Sequence, residues 1–381
     1  MSKVAVVNCN CYNVNEVYKA VSRGIELIGG LESLITKNER VLLKPNLLAS
    51  ANPDKSVTTH PVVFEAVVRI FKEKEYSVFY GDSPGFESPE KVSQRCGLKT
   101  IAEKYDIMLG NFSKGSTIAF KEGKITKQFE IAHAVQEADA IVSLCKMKTH
   151  QLTRITGAVK NQLGCVYGLN KPSSHAKFPD AISFSKMLVD LNMLLKPRLY
   201  IMDGIVAMEG NGPRSGEPVP MNVLLVSSDP VALDSVFCRL IDLDPEYIPT
   251  IVYGEEYGLG KWRDEDIEII GDNLNELVDK NFNVIRKPVI SENFGFATRF
   301  RNRILRKPAI IEKKCIKCGI CVDVCPAEGK AVNFKNSGND KTDPPVFQYK
   351  KCIRCYCCQE MCPQKAIEVK TPLLGKMLLY K

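Results

Sequence analysis

The stretch "CIKCGICVDVCP", residues 315–326, is followed by "CIRCYCCQEMCP", residues 352–363. Each run has the spacing C-x2-C-x2-C-x3-C-P, with Cys315, Cys318, Cys321 and Cys325 in the first and Cys352, Cys355, Cys358 and Cys362 in the second. A short irregular loop with three closely spaced thiolates can turn all of them inward, onto three corners of an iron–sulfur cubane. The fourth corner must come from a more distant residue. Two other chemistries compete for such cysteines. Structural zinc takes paired C-x2-C units around one tetrahedral ion, not four cysteines in a tight run closed by proline. Disulfides need an oxidising compartment, and "MSKVAVVNCNCYN" has no secretory-signal character.

The doubled run resembles the bacterial two-cluster ferredoxins, in which the fourth cysteine of each run serves the other run's cluster. The resemblance implies two [4Fe–4S] clusters. Cys315, Cys318, Cys321 and Cys362 would hold one, and Cys352, Cys355, Cys358 and Cys325 the other. "CYCC" carries an extra thiol, Cys357; the spacing selects Cys358 as ligand and leaves Cys357 as a small buried neighbour. The polar insertion "KNSGNDKTDPP" lengthens the loop between the halves and is expected on the surface.

At 381 residues the chain is too long for such a unit alone. No apolar run approaches the roughly 18 residues needed to cross a bilayer, so the expected location is the reducing cytoplasm. The formal charge is +8, with visible basic density in "ATRFRNRILRKP", residues 297–308. There Phe296, Phe300 and Ile304 recur every four residues, as on one face of a short helix. The favoured reading is a linker helix docked on the main domain; peripheral contact with an anionic membrane or an acidic partner is the alternative. No aromatic-and-basic recognition pattern accompanies the charge, which argues against nucleic acid.

The front of the chain alternates strand and helix periods. "KVAVVNC", "RVLLKPN", "YSVFYGD", "ADAIVSLCK", "PRLYIMDG" and "MNVLLVSS" read as strands. Helices are expected over about residues 14–28 and 61–74 and from "SDPVALDSVFCRLI", with a polar hairpin at "STIAFKEGKITKQFEIA". The fold class is therefore α/β, a mainly parallel sheet covered by helices, followed by a small α+β ferredoxin-like unit. The expected boundaries are 1–290 for the α/β domain, 291–308 for a basic linker and 309–381 for the iron–sulfur unit.

In such sheets ligands bind beyond the C-terminal ends of the strands. Those positions carry Lys44 and Asn46; "GDSPG" with Asp82; "KMKTH" with Lys146, Lys148 and His150; "TGAVKNQLG" with Lys160 and Asn161; and "DGIVAMEGNGPRSGEP" with Glu209. Each alone is ordinary turn chemistry. Their convergence on one sheet edge is a pocket pattern. The lysines, with a helix N-terminus near Thr156-Gly157, suit a small anionic molecule. Lys44, Asn46, Lys146, Lys148, Lys160 and Asn161 are the candidate binding residues, and Asp82, His150 and Glu209 the candidate proton carriers. No glycine cluster matches G-x-G-x-x-G or the P-loop. Cys9 and Cys11 lack the spacing of a four-ligand metal site.

"LLKPN", "GDSPG", "KMKTH", "TGAVKNQLG" and "DGIVAMEGNGP", in that order, resemble the family called domain of unknown function 362, over about residues 1–290. The resemblance implies a redox role and supplies no substrate. The expected function is an iron–sulfur oxidoreductase that receives electrons from an external protein and passes them to an anionic substrate or cofactor. The alternative is a non-catalytic electron carrier or assembly factor docked on a redox partner. A further cofactor such as a flavin is left open.

Overall fold

The computed structural model describes residues 1–168, 170–289, 301–335 and 342–378. Ser2–Asn8 (β1), Arg40–Pro45 (β2) and Ser77–Tyr80 (β3) are the first strands, and Gly115–Ala119 (β4) and Gln128–Ala132 (β5) form the separate polar hairpin. Ala140–His150 (β6), Arg154–Thr156 (β7), Leu199–Glu209 (β8), Glu217–Ser227 (β9) and Ile267–Gly271 (β10) complete the large sheet. Its order is β10-β1-β9-β8-β6-β2-β3, with β7 pinned to β6. The β2–β3, β2–β6, β6–β8 and β1–β10 pairs are parallel, as the helix–strand rhythm requires.

The "MNVLLVSS" strand departs from that direction. β9 runs antiparallel to both β1 and β8, because residues 210–216 form too short a connection for a crossover. A parallel return needs a dozen residues or more.

Both faces are buried. Leu42, Cys145, Tyr200 and Leu225 point into one core with Phe184, Leu188, Val236 and Phe237 of the helices Ala181–Leu195 and Pro230–Leu240. The alternate residues Val41, Leu43, Leu144, Ile201 and Val226 point into the other, against Val17, Val21 and Ile25 of the helix Val14–Leu27 and Val63, Val67 and Phe71 of Pro61–Glu73. This period-2 alternation on a doubly covered sheet explains the nearly continuous apolar strands.

The iron–sulfur unit is a small pseudo-repeat. Lys307–Ile310 (β11) pairs with Ile367–Lys370 (β14), and Val332–Asn333 (β12) with Val346–Phe347 (β13), both antiparallel. Of the basic stretch, Phe296 and Phe300 lie outside the described residues. Arg301–Ile304 is helical, and Lys307 already belongs to β11.

A buried carboxylate fixes the turn of the polar hairpin to a helix of the large domain. Asp190, fully buried in the helix Ala181–Leu195, accepts the backbone N–H groups of Lys124, Ile125 and Thr126, each at 2.8 Å. Asp190→Ala would leave these donors without their acceptor, and should cost about 2–4 kcal/mol of unfolding free energy. A lowered midpoint in chemical denaturation checks it; an unchanged midpoint would show that water replaces the carboxylate.

Candidate functional site

Charged residues on buried strands need oxygen partners, and the partners decide which lysines stay available. Lys146 pairs with Asp203 across the β6–β8 register at 2.7 Å. Tyr12 and His60 complete a closed cluster: the Tyr12 hydroxyl donates to Asp203 at 2.9 Å, and its ring stacks on His60. Burial pushes His60 down to about 4. Lys44 pairs with Asp82 at 2.9 Å, and Asp82 also accepts the N–H of Leu47 at 2.7 Å. Lys148 donates to Asn46 Oδ1 at 2.8 Å and to the Val57 carbonyl at 2.7 Å. Asn46 in turn donates to Asn161 Oδ1, and Asn161 to Ser143 Oγ.

A cleft enclosing about 700 Å³, its open mouth included, lies over this network. Asn46, Asp82, Lys148, Lys160 and Asn161 line it from the large domain. Val324, Cys357, Glu360 and Met361 of the iron–sulfur unit form the opposite wall. Lys171 and His175, which the sequence reading missed, complete it from the helix Asn170–Lys177. Lys171 donates to the carbonyls of Ser83 and Pro84. The remaining candidates are placed differently. His150 approaches Glu360 Oε1 to 2.6 Å through Nε2. Its Nδ1 accepts the N–H groups of Leu152 and Thr153, which leaves the proton on Nε2 in the neutral ring. Glu209 accepts the N–H of Asn283 and does not line the cleft. The helix N-terminus after Thr156-Gly157 is already filled, because Asp234 accepts Ala158 N–H at 2.6 Å and Val159 N–H at 3.1 Å. A Cβ on Gly157 would stand 2.0 Å from that carboxylate.

The electrostatics follow from burial. Desolvation, then Lys160 and Lys146, push Lys148 down to about 7. Burial, with Lys44 and Lys160 adding to it, brings Lys171 to about 7. Burial, then Lys160, lowers His150 to about 4, and burial takes His175 to about 3. Burial opposes the charge on Glu360, yet His150 and Lys160 outweigh it and hold that carboxyl well below the usual range.

The iron–sulfur unit is anchored through the loop after β8. Arg214 Nη1 donates to the Met361 carbonyl at 2.9 Å, Gln359 Nε2 to the Asn211 carbonyl at 2.8 Å, and Lys365 Nζ to the Gly216 carbonyl at 3.0 Å. Leu48 packs against Val324, Cys355, Cys357 and Met361.

One swapped set of thiols is gathered as the spacing requires, although among the described residues no three ligands are drawn together tightly enough to hold a metal ion. Cys315, Cys318, Cys321 and Cys362 line one hollow with Ile310, Pro363 and Ile367, although Cys362 is distant in sequence. Burial, then Cys362, Cys318 and Cys315, push the Cys321 thiol up to about 12. Such crowded thiols become thiolates when a metal centre supplies the compensating positive charge. Cys358 is likewise raised by burial and by Cys355, Cys352, Cys321 and Cys325. The Ala331 and Ala366 N–H groups point at Cys325 and Cys362 Sγ, at 3.3 and 3.2 Å. The two runs turn alike, with positive φ at Lys317 and Gly319 and again at Arg354 and Tyr356. Tyrosine pays steric energy at a position where the first run has glycine. Its ring packs in the core of the large domain, and its hydroxyl donates to the Arg306 carbonyl at 3.1 Å.

An α/β domain joined to this cysteine unit defines an iron–sulfur electron-transfer protein. The chain belongs to the family described as domain of unknown function (DUF362), which matches residues 41–239, and residues 314–366 match the 4Fe-4S dicluster domain. A thylakoid-associated protein of Synechocystis is 33% identical over 264 residues, 68% of this chain and 80% of that protein. Among solved structures, the lactate racemase apoprotein of Thermoanaerobacterium thermosaccharolyticum matches at 13% identity and a TM-score of 0.40, over 60% of this chain and 55% of that one. A Thermotoga maritima protein matches at 12% and 0.36, over 59% and 57%. Among the described residues no helix is long and apolar enough to cross a membrane.

The lowered Lys148 predicts a pH signature. In the unfolded chain a lysine keeps its proton up to about 10.5, whereas folded Lys148 releases it near 7. Between these values the unfolded state binds more protons, so this group's contribution to stability rises with pH. The unfolding free energy of wild type minus that of Lys148→Met should therefore climb from about pH 7 to pH 10. A flat difference would mean that the folded lysine keeps its proton throughout.

Proposed function

We propose that the protein is an iron–sulfur reductase acting on a small anionic molecule held in the interdomain cleft. The observation that carries this reading is the shared wall: Cys357 and Glu360, within the second cysteine run, face Lys160 and Lys148 of the sheet edge. Two [4Fe–4S] clusters, if held by the swapped thiol sets, would each supply one electron at a time. Cys352, Cys355, Cys358 and Cys325 form the inner set, beside the cleft. Cys315, Cys318, Cys321 and Cys362 form the outer set, where Cys318 is exposed and Ile316 is 60% exposed, open to an external electron-carrier protein. The cytoplasm is the compartment this chemistry suits.

The chain's own residues bind and orient. Lys148, Asn46 and Asn161 brace the floor of the cleft, and Lys160 presents its ammonium. Of the three candidate proton carriers, Asp82 is committed to Lys44 and Glu209 lies apart. His150 lines a second cleft with Arg154, Asn211 and Arg306, and meets Glu360 at the wall of the first. That position suits it to pass a proton inward.

Two measurements test the reading. Cys357→Ser should keep the full iron content, and Cys358→Ser should lose about half of it, since one of two centres loses a ligand; equal loss in both would move the ligand to Cys357. Second, the protein is reduced anaerobically and challenged with metabolite fractions. Reoxidation by a small molecule, slowed at least tenfold in Lys160→Met, supports the reductase. Reoxidation by protein fractions alone would overturn it in favour of a carrier.

A further inference from the structure

Resting on that reading, the cleft's uncommitted groups narrow the class of molecule it takes. Lys148 and Lys171 each spend two donors on fixed oxygens of the chain, Lys44 is neutralised by Asp82, and the Asn46 and Asn161 amides are tied into the floor. Among the described residues the Lys160 ammonium makes no hydrogen bond or ion pair, so of the cleft's lysines it alone keeps all its donors for a ligand. A carboxylate shares the cleft with it: Lys160 lines it from the large domain and Glu360 from the iron–sulfur unit. Glu360 Oε1 lies 2.6 Å from His150 Nε2 and, that ion-pair contact aside, is a buried oxygen with no hydrogen-bond partner among the described residues. His175, 3% exposed and stacked on Phe184, lines the same space with Nδ1 unpartnered.

We infer that the cleft takes a small mono-anionic carboxylic acid that also carries a hydrogen-bond donor. Lys160 holds the carboxylate, and Glu360 accepts from a hydroxyl or ammonium group on the same molecule. A polyphosphate or a dicarboxylate is disfavoured, because a second anionic group placed where Glu360 lines the cleft would meet its carboxylate in a medium where repulsion is poorly screened. A neutral molecule leaves Lys160 uncompensated beside buried lysines. The apolar remainder of the wall, Leu48, Leu163, Val324 and Met361, limits the rest of the ligand to a short carbon chain.

Ligand-observed NMR on the oxidised, cluster-loaded full chain tests this without any turnover. The probes are acetate, glycolate, glycine, inorganic phosphate and pyrophosphate. Glycolate and glycine should bind most tightly, acetate more weakly, and both phosphates least. Lys160→Met should weaken glycolate binding about tenfold or more, and Lys160→Arg should restore most of it. Glu360→Gln should reduce the preference for glycolate over acetate while leaving acetate binding in place. The cluster absorbance of each variant shows that the iron–sulfur unit is intact. Phosphate or pyrophosphate binding as tightly as glycolate, indifference to Lys160→Met, or no binding of any probe would overturn the inference. The predicted binding order with no metabolite able to reoxidise the reduced protein would instead uphold the ligand class and sink the reductase reading.

Discussion

Lys146 and Lys148 stand on a strand whose eleven residues are all buried, and the surrounding structure is arranged to tolerate them. An ammonium group taken out of water costs several kcal/mol unless an opposite charge or well-placed oxygens replace the lost hydration. Lys146 is neutralised locally by Asp203. Lys148 has carbonyl and amide oxygens but no carboxylate, and it stands beside Lys160 and Lys171. The sheet edge thus carries an excess of positive charge that the large domain does not balance itself.

The iron–sulfur unit supplies part of that balance. Its Cys357–Glu360 helix sets a carboxylate against the lysines, and the loop after β8 grips the same segment through Arg214 and Gln359. Met361 and Gly85 show how close the approach is: a Cβ at Gly85 would stand 2.6 Å from the Met361 sulfur. Docking and electrostatics therefore favour the same geometry, which brings Cys357 of the second run into the cleft wall. This arrangement links the thiols to the lysines more directly than two domains joined by a linker would.

Much of this was legible in the sequence. Strand-end logic gathered Asn46, Asp82, Lys148, Lys160 and Asn161 along one cleft, with Lys44 paired to Asp82, because parallel strands deliver their C-terminal ends to one edge. Lys146 is absent from that lining, paired instead with Asp203 on a neighbouring strand at a register that periodicity cannot give. Glu209 belongs to the long extension of β8, beyond the edge. The reversed β9 had a readable signal in the short loop "GNGPRSG". Lys171 and His175 had none, since "NKPSSHAK" has a weakly amphipathic, polar pattern. Glu360 was hidden for another reason. Within "CCQEMC" the cysteines explain the motif so fully that the glutamate between them attracts no notice, and only tertiary structure brings it to His150.

The central claim is that the second cysteine run and Lys160 share one electrostatic environment. An anaerobic redox titration followed by electron paramagnetic resonance, comparing wild type with Lys160→Glu, tests it most directly. Replacing a cation by an anion beside the inner centre makes its reduction harder. The account predicts that one of the two potentials falls, on the order of tens of millivolts, while the other holds. Two unmoved potentials, or two that shift together, would contradict it.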